Sequence, residues 1–218
     1  MQDIPKWLHY KLDRAGTEKI KTAVGLAETR TRGEIVPMIV RKSITTGHVP
    51  VVLFLGTLLI LWNLIPYASA LAHGISVYAI ESIAVVLAAV ITWLLKDSSF
   101  WQRTLTSDSD EEASVFRRAQ LEFFTSGIKA TEGRTGVLIL VSLVEHRAVI
   151  LADEAIASKL PETTWQEVIK DMLFKIKDGD LAGGISDAID KVGRLLQKDF
   201  PIQAGDKNEL SNKLVIRE

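Results

Sequence analysis

Three carboxylates stand where a sequence of this kind would place chemistry. Asp153 follows a short apolar run that ends at Ala152, and Asp178 and Asp180 flank Gly179 between two helical stretches. Carboxylates at the carboxyl end of a strand face the crevice where α/β folds bind ligands. A hard cation such as Ca²⁺ or Mg²⁺ needs several such oxygens. Capping is the competing use: Asp153 and Asp180 each precede a predicted helix and could accept its first free N–H groups. Ala182-Gly183-Gly184 opens the last helix and could offer backbone N–H groups to an anion, or serve only for close packing. Asp206, Asn208 and Glu209 carry further oxygens but lack the twelve-residue calcium-loop pattern. The four histidines (His9, His48, His73, His146) are scattered over four elements, which argues against a histidine metal site. Phosphate-loop, zinc-protease and nucleophile-elbow motifs are absent. The chain has no cysteine, so there is no thiolate ligand, cysteine nucleophile or disulfide framework.

A second kind of polar residue sits in an apolar setting. From Ser43 to Leu95 the only formal charge is Glu81, while the other 165 residues hold all 26 basic and 26 of the 27 acidic groups. This concentration explains a mean hydropathy of +0.17 in a chain that is 24% charged. Within the block, Val49–Pro66 and Gly74–Leu95 are each near the ~20 residues that cross a bilayer core. The short linker Tyr67–His73 suits the turn of a helical hairpin. Trp62, Tyr67, Tyr78 and Trp93 lie toward segment ends, as interfacial aromatics do. A pair of buried core helices in a soluble protein is the alternative, but neither segment keeps the polar stripe of such a helix. The block begins more than 40 residues into charged sequence, which does not fit a cleavable signal peptide.

Asn63 and Glu81 fall at similar depth in the outer half of the two spans. Interhelical hydrogen bonding, to each other or to a second copy, is the expected role, with ion coupling as the functional alternative. Arg41 and Lys42 precede the first span, and Lys96 and Arg103 follow the second. The turn between the spans has no Lys or Arg, so the positive-inside rule places both termini in the cytoplasm of a multi-pass inner-membrane protein.

The charged remainder supplies the elements that position these groups. Thr17–Arg32 reads as an amphipathic helix ended by Gly33. Glu34–Val40 is a strand candidate, with Pro37 marking it as an edge or bulged strand. A capping box, Ser109 with Glu112, opens a helix through about Ala130. Gly136–Leu143 is the most apolar run outside the block and reads as a buried central strand, and Ala148–Ala152 reads as its antiparallel hairpin partner, also counted as central. Thr164 with Glu167 forms a second capping box before the stripe Trp165, Val168, Ile169, Met172, Leu173 and Ile176, which Gly179 ends. Asp180–Phe200 is the last helix, and the polar tail from Pro201 gives no element. The N-terminal Ile4–Arg14 mixes aromatic, apolar and basic residues, and reads as a domain-packing helix or a segment lying on the membrane surface. The expected fold is α/β: a three-layer α/β/α sandwich interrupted by the hairpin. Residues 1–42 and 97–201 form the domain, 43–96 the hairpin (about 49–68 and 74–95), and 202–218 a tail.

The segments AVGLAETRTRGEIVPMIV (Ala23–Val40), GRTGVLILVSLVEHRAVILADEAI (Gly133–Ile156) and Trp165–Pro201 resemble the TPM domain family. The likeness is to its bacterial membrane-protein branch, in which transmembrane helices interrupt the domain after the first strand. The resemblance implies the α/β/α fold. It also implies an assembly or modulator module or, in other branches, an acid phosphatase or a calcium binder.

Charge balance and a pI near 6.4 count against a nucleic-acid binder. Two functions remain in competition. One is a membrane-tethered interaction module, with the bilayer and a membrane or cytoplasmic protein as partners and self-association open. The other is a Ca²⁺- or Mg²⁺-dependent acid-phosphatase-like hydrolase using Asp153, Asp178 and Asp180.

Overall fold

In the computed structural model, the described residues are 4–43, 49–71, 74–105, 107–203 and 208–218. The chain divides into two compact units, one formed by residues 1–43 with 112–218 and the other by residues 44–111.

The first unit is built on a four-stranded sheet. Its strands are β1 (Glu34–Val40), β2 (Gly136–Ser142), β3 (Arg147–Ala152) and β4 (Val215–Arg217), in the order β3-β2-β1-β4. β1 pairs in parallel with β2, from Glu34 opposite Gly136 to Val40 opposite Ser142, and β4 is also parallel to β1. β3 runs antiparallel to β2 as its hairpin partner. The β-branched runs of β1 and β2 are buried on both faces, as strands covered by helices must be.

One face, with Ile35, Ile39, Val137, Ile139 and Val141, packs under α1 (Arg14–Glu28), α7 (Thr163–Lys177) and α8 (Leu181–Asp199). The other face, with Val36, Met38, Leu138 and Leu140, packs under Val115, Ala119 and Phe123 of α5 (Asp108–Thr125). The expected three-layer α/β/α sandwich is the observed fold. α8 lies close to both neighbours because two glycines lack side chains there. A Cβ on Gly184 would come 2.9 Å from the Met172 carbonyl oxygen, and one on Gly193 would come 2.8 Å from the Ala27 Cβ.

Several local expectations are corrected. β1 is an interior strand, not an edge. Glu34 N donates to Thr135 O, and Val40 O accepts from Leu143 N, so the even-numbered residues of β1 face β2. Arg41 N donates to Arg217 O, so the odd-numbered ones face β4. Pro37 therefore points its missing N–H toward β4, one residue before that pairing begins at Met38–Val215. No ladder bond is lost. β3, expected to be central, is an edge, and the tail supplies β4. α1 runs Arg14–Glu28, capped by the Asp13 side chain on Gly16 N at 2.7 Å, and stops before Gly33. α5 is capped by Ser107 Oγ on Asp110 N, not by Ser109, and ends at Thr125 with Gly127 at φ +73°. The Thr164–Glu167 box does not form, since Thr164 lies inside α7, whose N-cap Glu162 makes no side-chain cap bond. The Trp165, Val168 and Met172 stripe is buried as expected, and Gly179, at φ +95°, follows the end of α7. The N-terminal segment packs into the domain through Leu8 and Leu12.

The second unit pairs α2 (Val49–Leu71) with α3 (Val77–Leu95), followed by the short α4 (Ser99–Thr104). α2 runs five residues past Pro66, so most of the expected turn is helix, while Ala72 and His73 lie outside the described residues. Both helices have mean hydropathy 2.1 and are long and apolar enough to cross a membrane. Ala84, Ala88 and Thr92, one helical turn apart, are the buried positions of α3.

Candidate functional site

Because β1 and β2 are parallel, their carboxyl ends open on the same side of the sheet, the usual ligand end of an α/β fold. The loop after β2 carries the polar residues of this end. Ser142 is fully buried at the strand's last position, and Glu145, three residues on, is buried beside it. The Glu145 carboxylate accepts the Ser142 hydroxyl and, on both oxygens, the Ser43 backbone N–H at 3.1 and 3.2 Å. Ser43 Oγ lies 2.8 Å from Ser142 Oγ. His146, at φ +52°, makes the tight return into β3.

Beside this latch a groove of about 610 Å³ runs between the end of β2 and the last two turns of α7. Val141, Leu143 and Leu173 give it an apolar lining, and Lys11, Lys170 and Lys177 stand around it. Asp171 also lines it, but Lys191 of α8 pairs with that carboxylate. The hydrogen bond from Lys191, with its charge, holds the Asp171 carboxyl below the usual carboxylate range. Lys175, one turn further along α7, is likewise taken up by Asp187, whose hydrogen bond raises the ammonium above its ordinary value.

The three proposed metal ligands do not converge. Asp153 N donates to Gly136 O at 2.8 Å, which places it beside the first residue of β2. Asp178 and Asp180 follow α7, whose last turn lines the groove at the other end of β2. Seven residues of strand separate the two ends, about 20 Å. The physical reason is the antiparallel course of β3: its carboxyl end is the amino end of β1 and β2. Two of the three acids are also occupied. Asp153 Oδ1 accepts Glu154 N at 2.7 Å, capping α6 (Glu154–Ala157), and its buried Oδ2 faces Arg134 Nε at 3.3 Å as an ion pair without hydrogen-bond geometry. Asp180 Oδ1 accepts Gly183 N at 2.7 Å and caps α8, so that glycine N–H is spent internally. Asp178 is the C-cap residue of α7. Among the described residues no group of three or more His, Asp or Glu could hold a metal ion, so these three acids do not fit one shared cation.

The hairpin's polar residues are also separate. Asn63 is exposed, and its amide donates to Leu59 O of its own helix at 2.9 Å. Glu81 is half-buried and makes no hydrogen bond or ion pair with a described residue. Of the flanking cations, Arg41 lies 6.0 Å from the centre of the Trp7 ring, Lys42 follows it before Ser43, Lys96 caps α3, and Arg103 belongs to α4.

Sequence reasoning overlooked Ser142, Glu145 and the lysines of the groove. The signal for Glu145 was its place as the first acid after the most apolar strand. The Lys170–Lys177 signal was a seven-residue spacing on a helix, which puts both on one side.

The sequence model of the TPM domain matches residues 85–195, just over half of the chain. The chain belongs to the TPM domain family. The match begins inside α3 and takes in β2, β3, α7 and most of α8. It leaves out β1, which the two apolar helices separate from β2 in sequence, yet β1 pairs with β2 over its whole length. A solved relative of the same fold is the NMR structure of BA42 protein from the psychrophilic bacterium Bizionia argentinensis, with TM-score 0.59 and 20% identity over 99% of each chain. Among curated proteins, none matches.

Proposed function

We propose that this TPM-domain protein is anchored in a bacterial inner membrane by the α2–α3 hairpin. In this reading both termini are cytoplasmic, and the domain acts as an interaction or assembly module for a membrane or cytoplasmic protein. The observation that carries it is the surface of the hairpin: only 11% and 17% of the most apolar windows of α2 and α3 are buried. A core helix of a soluble protein would be covered, whereas here Leu59, Ile60, Val86 and Trp93 are exposed and need lipid or another protein around them. The absence of Lys and Arg between the spans, against Arg41, Lys42, Lys96 and Arg103 outside them, supports the orientation. The use of Asp153, Asp180 and Glu145 as caps and latches supports a scaffold role over a hydrolytic one.

The test is a pair of reporter fusions, each active only outside the cytoplasm. A fusion after Glu218 stays silent and one within the Tyr67–His73 segment is active; the reverse pattern overturns the topology. Crosslinking in native membranes then identifies the partner. A chromogenic phosphate ester, supplied with and without Ca²⁺ or Mg²⁺, is the counter-test. Turnover that disappears in Asp153→Ala would replace the module reading with an enzymatic one.

A further inference from the structure

We propose that the groove at the carboxyl end of the sheet seats the phosphate headgroup of an anionic lipid of the cytoplasmic leaflet, so that the domain lies against the bilayer as well as being tethered to it. The inference rests on the anchored reading above. Lys11, Lys170 and Lys177 line the groove, and none of their ammonium groups makes a hydrogen bond or ion pair with a described residue; that of Lys11 lies 5.7 Å from the centre of the Tyr10 ring. This contrasts with Lys175 on the same helix α7 and Lys191 on α8, each of which has an aspartate. Three ammonium groups face one carboxylate around this groove, and that carboxylate, Asp171, already has Lys191 as its partner. The groove thus keeps an excess of positive charge that is complementary to a phosphate. Of the remaining lining, Ser142 and His146 are polar, and Val141, Leu143, Leu173 and Ile176 are aliphatic; the aliphatic part suits the glycerol and first methylenes of a lipid better than a fully hydrated ion.

The aromatic residues agree. Phe174 lies between Lys170 and Lys177 at helical spacings of four and three, and is 67% exposed; Tyr10, beside Lys11, is 78% exposed. Lysines interleaved with exposed aromatics are the composition of a surface that dips into the headgroup region. Position also agrees: Ser142 lines the groove and touches Ser43, which stands six residues before the first apolar helix. A fully extended chain of that length reaches about 20 Å.

The full chain, reconstituted in nanodiscs of phosphatidylcholine alone or with phosphatidylglycerol added, is labelled with a lysine-acetylating reagent and read by mass spectrometry. Phosphatidylglycerol is expected to slow acetylation of Lys11, Lys170 and Lys177 by about fivefold or more, the scale of one lysine at an anionic surface. Lys21 and Lys198 serve as controls and stay unchanged. Lys170→Glu with Lys177→Glu is expected to abolish the protection of Lys11. Equal rates in the two lipids, or equal slowing at the control lysines, overturn the proposal. Protection in phosphatidylcholine by inorganic phosphate overturns the lipid source, and protection by polyglutamate but not by phosphatidylglycerol points to an acidic protein instead. A chain that fails to elute with nanodiscs overturns the anchored reading itself.

Discussion

Glu145 holds the backbone N–H of Ser43 with both carboxylate oxygens, at 3.1 and 3.2 Å, across 102 residues of chain. Ser43 is the last described residue before the chain leaves for α2, so this contact fixes the exit point of the domain to the loop after β2. The same carboxylate takes the hydroxyl of Ser142, which is fully buried and so has no water as a substitute partner.

Glu145→Ala should therefore destabilise the domain more than a surface substitution does. Leaving a buried donor without a partner costs about 1–3 kcal/mol; here the buried Ser142 hydroxyl loses its carboxylate acceptor and the half-buried Ser43 N–H loses both oxygens. Glu145→Gln keeps one oxygen and should lie between Ala and wild type. Denaturant titration of the full chain in detergent checks the order. A Glu145→Ala variant as stable as wild type would show that the latch contributes nothing.

The register of β1 makes a sharper prediction, because alternate residues face different neighbours. Pro37 faces β4 ahead of its pairing, and Met38 faces β2. Pro37→Val should change stability by no more than about 1 kcal/mol, since only backbone freedom in the unfolded chain and a small volume change are involved. Met38→Pro removes a ladder donor to β2 in mid-sheet and leaves a buried β2 carbonyl unpaired. That should cost about 1–3 kcal/mol, a large share of the margin of a marginally stable domain. Similar effects for the two substitutions would contradict the register.

What was legible in the sequence was whatever one element's own pattern decides. The uninterrupted apolarity of Gly136–Leu143 marked a strand buried on both faces, and the spacing of Trp165, Val168 and Met172 marked the inner side of α7. What stayed hidden depended on a neighbour. Pro37 reads locally as an edge residue, and only the point where β4 begins pairing shows why an interior strand tolerates it. β4 itself is three residues long; its signal was the triplet Leu214-Val215-Ile216 after a polar run, with Leu214 fully buried. The grouping of the three acids turns on a neighbour as well. Asp153 does end a strand, but one that the hairpin spacing already marks as antiparallel, and the rule that places ligands at carboxyl ends holds for the parallel strands. Cap positions slipped by one or two residues because Ser107 and Ser109 both precede acids.

Acid should loosen the contact between α1 and α8. Arg30 Nη1 donates to Asp190 Oδ1 at 2.7 Å, and Arg194 Nη2 lies 2.8 Å from Oδ2. The hydrogen bond from Arg30, outweighing a smaller desolvation, holds the Asp190 carboxyl below its ordinary 3.8. A depressed carboxylate pKa contributes stability that is present above the unfolded value and is lost as pH falls through the folded one. The melting-temperature gap between wild type and Asp190→Asn should thus be steady at neutral pH and close below pH 3.8. The gap should be small, because the pair is partly exposed and screened. A gap that widened on acidification would reverse the sign of the argument.

The last prediction concerns Asn63 and Glu81, whose similar depth suggests a pair. Seven residues separate Glu81 from Ala88, about two helical turns, so Glu81 shares the side of α3 on which Ala84, Ala88 and Thr92 are buried. Asn63 is exposed and gives its amide to Leu59 O. The two side chains thus occupy different environments, and no hydrogen bond joins them. In membrane proteins a hydrogen-bonded pair shows a coupling of about 0.6 kcal/mol on average and up to about 1.7. A double-mutant cycle with Asn63→Ala and Glu81→Leu, read by unfolding of the full chain in detergent micelles, should give a coupling near zero. Glu81→Leu alone should stabilise the hairpin or leave it unchanged, since the substitution removes from an apolar helix a polar group that has no partner among the described residues. Loss of stability in Glu81→Leu with a clear coupling to Asn63 would mean that the pair forms in the membrane. Loss of self-association in Glu81→Leu without that coupling would instead assign the carboxyl to a contact with a second copy.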